Sequence, residues 1–95
     1  MLTPQQLQMI KTIVFSKLDA QTNTAFIFGS RASGTYEKFS DIDIGIEGKP
    51  LSSDVTTALR EAFEESDLPY NVDVVDFSTL RDGFKDIAKQ HVVYL

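Results

Sequence analysis

Thr24-Ala25-Phe26-Ile27-Phe28-Gly29-Ser30 runs from bulky apolar residues into a glycine and a serine, and the next apolar segment, Asp41-Ile42-Asp43-Ile44-Gly45-Ile46, alternates strictly. The first is short and rich in large side chains, which suits a buried strand ended by a turn. The second reads as a strand with two distinct faces. Side chains at i and i+2 share a face, so Ile42, Ile44 and Ile46 enter a core while Asp41 and Asp43 project together from the other side. Between the two segments the apolar period is lost, and Gly34 with several small polar residues reads as a loop.

Outward from this pair the chain divides into recognisable elements. Thr3, Pro4 and Gln6 read as an N-cap, a first-turn proline and a capping-box partner, opening a helix with Leu7, Ile10, Val14 and Leu18 on one stripe. Gly48-Lys49-Pro50 breaks the second strand, after which Ser52 or Ser53 caps a helix carrying Val55, Ala58, Leu59, Ala62 and Phe63. Asn71-Val72-Asp73-Val74-Val75-Asp76-Phe77 is β-branched and short, as a third strand is, and Ser78 or Thr79 opens a broken helical tail to about Gln90. His91-Val92-Val93-Tyr94-Leu95 reads as either a short strand or a docked tail. The order α-β-loop-β-α-β-α predicts an α/β or α+β fold, a small mixed sheet with helices packed on it.

A length of 95 residues and a hydrophobic share of 42% predict one domain, residues 1–95, folded around one modest core. So short a chain buries a modest share of its surface and has little room to enclose a ligand by itself, which makes a homodimer or hetero-oligomer plausible. The net charge of −5 argues against the broad basic patch of non-specific nucleic-acid binding, so no direct nucleic-acid contact is expected. The lack of cysteine excludes disulfides, thiolate metal sites and thiol nucleophiles. No basic n-region precedes an apolar run, and no apolar stretch has spanning length, so the expected location is cytoplasmic and away from membranes.

Two carboxylates on neighbouring same-face positions repel, and a hard divalent cation such as Mg²⁺ or Mn²⁺ relieves that repulsion. Asp41 and Asp43 are therefore candidate metal ligands, although a lone Asp-x-Asp also suits a solvated strand edge. Gly29 lets backbone approach a ligand, and Ser30 adds a hydroxyl beside free N–H groups, which together form a candidate phosphate cradle. The alternative for Ser30 is an ordinary helix N-cap. Arg31 reads either as a further phosphate contact or as a surface residue paired with Glu37. His91, the only histidine, reads as structural, and Lys49 lacks the glycine and hydroxyl partners of a P-loop.

Residues 29–43, Gly-Ser followed after about ten residues by Asp-x-Asp, resemble the signature of the nucleotidyltransferase superfamily related to DNA polymerase β. The wording Ser30-Arg31-Ala32 and Ser40-Asp41-Ile42-Asp43 is similar to its minimal branch, the MNT proteins; Ser33 stands where relatives often carry a basic residue. The resemblance implies a polymerase β palm-like fold and Mg²⁺-dependent nucleotidyl transfer. It further implies two ions on three carboxylates, with Gly29 and Ser30 holding the β- and γ-phosphates of ATP or another triphosphate. Asp73 and Asp76 are the candidates for the third carboxylate. Three positions apart in a strand, they face opposite sides, so at most one joins Asp41 and Asp43. Similarity to the family's Val-Asp-Val-Val pattern points to Asp73, leaving Asp76 to cap the following helix or face solvent. The minimal branch commonly accompanies a HEPN-domain toxin, and the resemblance implies an antitoxin that adds AMP to a tyrosine of that partner. Two other readings fit the residues: a transferase acting on a small molecule such as an aminoglycoside, and a non-catalytic module that binds a partner.

Overall fold

The computed structural model describes residues 2–29 and 41–95. Helix α1 (Pro4–Lys17) starts at Thr3, whose hydroxyl accepts from the Gln6 N–H at 3.0 Å while the Gln6 side chain accepts from the Thr3 N–H at 3.0 Å. Two of the helix's orphan donors are thus satisfied reciprocally. Strands β1 (Asn23–Phe28) and β2 (Ile42–Gly48) are followed by helix α2 (Ser53–Glu64), capped by the Ser52 hydroxyl. Strand β3 (Val72–Asp76) runs into a 3₁₀ turn (Phe77–Thr79), then a short helix α3 (Asp82–Ala88) and strand β4 (Val93–Tyr94).

Among the described residues the strands form one sheet in the order β3-β2-β1-β4. β1 pairs antiparallel with β2 and β4, whereas β2 and β3 run parallel with α2 as their crossover. The sheet is therefore mixed, with helices on it, as the element order predicted. The two-residue β4 also resolves the open reading of the tail: the last residues add an edge strand, and the Leu95 N–H donates to the Ala25 carbonyl at 3.0 Å.

Alternation along the strands divides the sheet into two faces. Ala25, Ile27, Ile42, Ile44, Ile46 and Val74 share one core cluster with Ile10 and Val14 of α1 and Leu59 and Phe63 of α2. The opposite face is aromatic. Phe26 lies edge-on to Phe77 at 4.9 Å between centroids, Phe28 to Phe77 at 5.1 Å, and Phe26 to Tyr94 at 5.8 Å. Gly45 makes this packing possible, because a methyl group there would stand 2.5 Å from Phe26 Cε2 and 2.7 Å from Phe77 Cε1. Lys89 closes the far end, its ammonium 2.6 Å from Glu47 Oε1 and 5.7 Å from the centre of the Phe26 ring.

Boundaries differ from the periodic pattern where capping outweighs alternation. Asp41 precedes β2, and Phe77 leaves β3 for the 3₁₀ turn because Asp76 caps that turn through the Ser78 N–H. No helix among the described residues is long and apolar enough to cross a membrane.

Candidate active site

The acidic side chains gather where β1 ends and β2 and β3 begin. Asp43 lies directly opposite Asp73 in the parallel β2–β3 register and opposite Phe28 in the antiparallel β1–β2 register. One carboxylate thus stands at the junction of three strands, between the turn at Gly29 and the edge at β3. Asp41 sits two positions before Asp43 on exposed backbone. Partial burial pushes the Asp43 carboxyl above its ordinary range, and the nearby carboxylates of Asp73 and Asp41 push it further in the same direction. Asp43 therefore feels both neighbouring acids. Among the described residues no group of three acidic or histidine side chains already stands close enough to hold a metal ion.

Asp73 has a basic neighbour. Its Oδ1 lies 3.8 Å from Nη2 of Arg60, which reaches across the sheet edge from α2 and also donates to the Val74 carbonyl at 3.3 Å. The pair is exposed, at 52% and 60% of the two side chains, so it is weak and easily exchanged for another partner. The donor chemistry suits a hard divalent ion: carboxylate oxygens only, one of them carrying a charge its surroundings disfavour.

Gly29 follows β1 with φ +74°, a conformation an L-residue rarely adopts, and a Cβ there would lie 2.7 Å from Asp43 Oδ2. Backbone thus approaches the central carboxylate more closely than any other residue type permits. Ser30 and Arg31, the rest of the expected phosphate cradle, lie outside the described residues, as do Ser33 and Glu37.

Asp76 points to the opposite face, at the register position of Ile46. Its Oδ2 accepts from the Leu51 N–H at 3.0 Å, and its Oδ1 accepts from the Ser78 N–H at 2.9 Å and the Ser78 hydroxyl at 2.7 Å. Burial would raise this carboxyl, but the bonds from Ser78 and Leu51 outweigh it and hold the group below its ordinary range. A depressed folded-state value means stability present at neutral pH and lost as pH falls through it. Asp76→Ala is therefore expected to cost about 1–2 kcal/mol at neutral pH. Urea titrations repeated toward about pH 3 should show the gap to wild type narrowing; a constant gap would remove the charge from the account.

Arg60 escaped the reading of the sequence because it flanks the apolar stripe of α2 and looks like an ordinary surface residue. A signal was present nonetheless: it is the one cation in Arg60-Glu61-Ala62-Phe63-Glu64-Glu65. His91 is exposed and distant in sequence from the acids, and Lys49 is held through its backbone, its N–H donating to the Thr22 carbonyl at 3.2 Å and its carbonyl accepting from the buried Asn23 amide at 2.8 Å.

Comparison with known proteins identifies the family of the chain. The model of the nucleotidyltransferase domain matches residues 7–95. A probable protein adenylyltransferase MntA of Haemophilus influenzae (strain ATCC 51907 / DSM 11121 / KW20 / Rd) is 36% identical over 92 residues, which span 96% of this chain and 79% of that protein. A crystal structure described as a toxin-antitoxin with AMP-PNP shares the fold at a TM-score of 0.75 and 22% identity, over 92% of this chain and 69% of the other. The match over nearly the whole chain and the identity to MntA make this protein an enzyme of the nucleotidyltransferase domain family, in its minimal, MntA-type branch.

Proposed function

We propose that this chain, as a single minimal nucleotidyltransferase domain over residues 1–95, transfers AMP from ATP to a tyrosine hydroxyl of a partner toxin of the HEPN class. It thereby acts as a cytoplasmic antitoxin. The observation that carries the reading is the direct register of Asp43 with Asp73, with Asp41 close enough to add to the repulsion, beside the left-handed Gly29 turn. Supporting the acceptor are the name of the Haemophilus relative, a probable protein adenylyltransferase, and the toxin-antitoxin assembly with AMP-PNP that shares the fold.

In this reading Asp41, Asp43 and Asp73 hold Mg²⁺, for which Mn²⁺ can substitute. Bound divalent ions neutralise triphosphate charge and ease deprotonation of the acceptor hydroxyl. The backbone at Gly29, with Ser30 and Arg31, binds the phosphates and fixes the α-phosphorus over Asp43. Arg60 releases Asp73, which turns toward the incoming hydroxyl and accepts its proton. The phenolic oxygen forms a bond to the α-phosphorus as the bond to the β-phosphate oxygen breaks, pyrophosphate leaves, and the proton passes from Asp73 to solvent. No covalent enzyme intermediate is required, so catalysis rests on position and charge.

Incubating the chain with ATP labelled at the α-phosphate, Mg²⁺ and the protein encoded beside it should label that protein on tyrosine and release pyrophosphate. Label on an aminoglycoside instead would transfer the assignment to a small-molecule enzyme. Tight partner binding without pyrophosphate release would make the chain a non-catalytic inhibitor.

A further inference from the structure

Asp73 is the outermost of the acids and has a charged neighbour on each side. Toward the sheet centre it faces Asp43 across the parallel β2–β3 ladder. Outward it faces no strand among the described residues, because β3 ends the sheet, and Arg60 reaches it from α2 instead. Arg60 is the only cation of α2, whose other charged residues are Asp54, Glu61 and Glu64.

Two features distinguish this arginine from an ordinary surface partner. Its Nη2 has a second anchor, the Val74 carbonyl at 3.3 Å, so the guanidinium keeps its place at the strand edge when the carboxylate turns away. Glu64 stands one helical turn further along α2 and lines, with Arg60 and Asp73, one groove of about 670 Å³. Side chains four apart on a helix are neighbours, so a small swing carries the guanidinium from one acid to the other. The groove thus sets one cation between two carboxylates.

We infer that Arg60 is a placeholder cation: it neutralises Asp73 in the metal-free chain and passes to Glu64 when Asp73 turns to a divalent ion. The weakness of the resting pair is what such an exchange requires. At 3.8 Å, between side chains 52% and 60% exposed, the pair shifts an equilibrium by no more than about fivefold. Direct ligation of a doubly charged ion offers Asp73 more, and Glu64 inherits the guanidinium. Arg60 is in this role a positioning residue that acts through Asp73 and sets how tightly the acids take the ion. The inference rests on Asp73 being a metal ligand, as proposed above.

The test is the binding of Mn²⁺ alone to the full chain, with the free ion read by electron paramagnetic resonance. Salt at about 0.15 M screens exposed charges beyond about 8 Å. Arg60→Met should tighten Mn²⁺ binding roughly two- to fivefold, and Glu64→Gln should weaken it by a similar factor. In the Arg60→Met background the Glu64 substitution should have no effect, since no guanidinium remains to be shared. Lys49→Met, which removes the same charge beyond the far end of β2, should leave the affinity at the wild-type value. A merely structural arginine would lower Tm in EDTA without changing Mn²⁺ affinity. Unchanged or weaker binding in Arg60→Met, or a Glu64→Gln effect of equal size in both backgrounds, would overturn the placeholder. Asp73→Asn separates this inference from the reading beneath it. Weaker Mn²⁺ binding there keeps Asp73 as a ligand whatever Arg60 does, whereas unchanged binding refutes the ligand and the placeholder together.

Discussion

Asp43→Asn is expected to reduce nucleotidyl transfer by on the order of 10²–10³-fold or more while making the metal-free protein slightly more stable. The two effects have one cause. Asp43 is the central acid, facing Asp73 across the parallel ladder and close to Asp41, and burial together with those neighbours pushes its carboxyl upward. A raised folded-state value marks stability that is complete at low pH and is lost as pH rises through that value. At neutral pH the ionised group therefore costs stability in the absence of a cation, and an amide of the same shape removes that cost. Solvent screening of this half-buried side chain limits the gain to a few tenths of a kcal/mol, about 1–3 °C in Tm. Thermal melts in EDTA should show the rise, and melts with Mn²⁺ and AMP-PNP should show wild type gaining more from the ligand than the variant. A variant less stable than wild type in EDTA would mean that Asp43 serves the fold and not a cation. Retained transfer would remove it from the chemistry.

The second large effect is expected at Gly29. Gly29→Ala places a methyl group 2.7 Å from Asp43 Oδ2 on backbone with φ +74°, so both the turn and the carboxylate must give way. The backbone strain costs about 1–2 kcal/mol, which for a domain of this size lowers Tm by roughly 4–16 °C. Transfer should fall by about tenfold or more, because the shift reaches the carboxylate beside which the triphosphate must sit. Gly83→Ala supplies the contrast: Gly83 lies in α3 with nothing within 4 Å of the added methyl group, and alanine there should leave activity unchanged and raise stability by about 0.5–1 kcal/mol. Steady-state kinetics and melts of both variants check the pair. Equal activity in the two would show that the turn is no part of the phosphate site.

The Gly29 and Asp43 expectations depend on a contact between residues whose proximity neither carries as a local signal, and the same holds for Asp73. Alternation in Asp41-Ile42-Asp43-Ile44-Gly45-Ile46 revealed that two acids share a face, since period two is a property of any strand. The spacing of three between Asp73 and Asp76 revealed that they part company. Which of them meets Asp43 depended on the β2–β3 register, and the ladder sets Asp43 against Asp73 while Asp76 falls beside Ile46. A slip of one residue would have exchanged the faces.

The sequence by itself determined the elements and their faces. The Thr3–Gln6 capping box, the isoleucine alternation of β2 and the apolar stripe of α2 are each encoded within a few neighbouring residues, where hydrogen bonding and side-chain direction are local properties. Tertiary structure alone decided the sheet order, the role of the last residues as edge strand β4, the meeting of Phe26, Phe77 and Gly45, and the approach of Arg60 to Asp73. These contacts join segments far apart in the chain, and their geometry follows from how the whole core closes. No short-range pattern carries that information, because the free energy that selects it is shared by every element that packs.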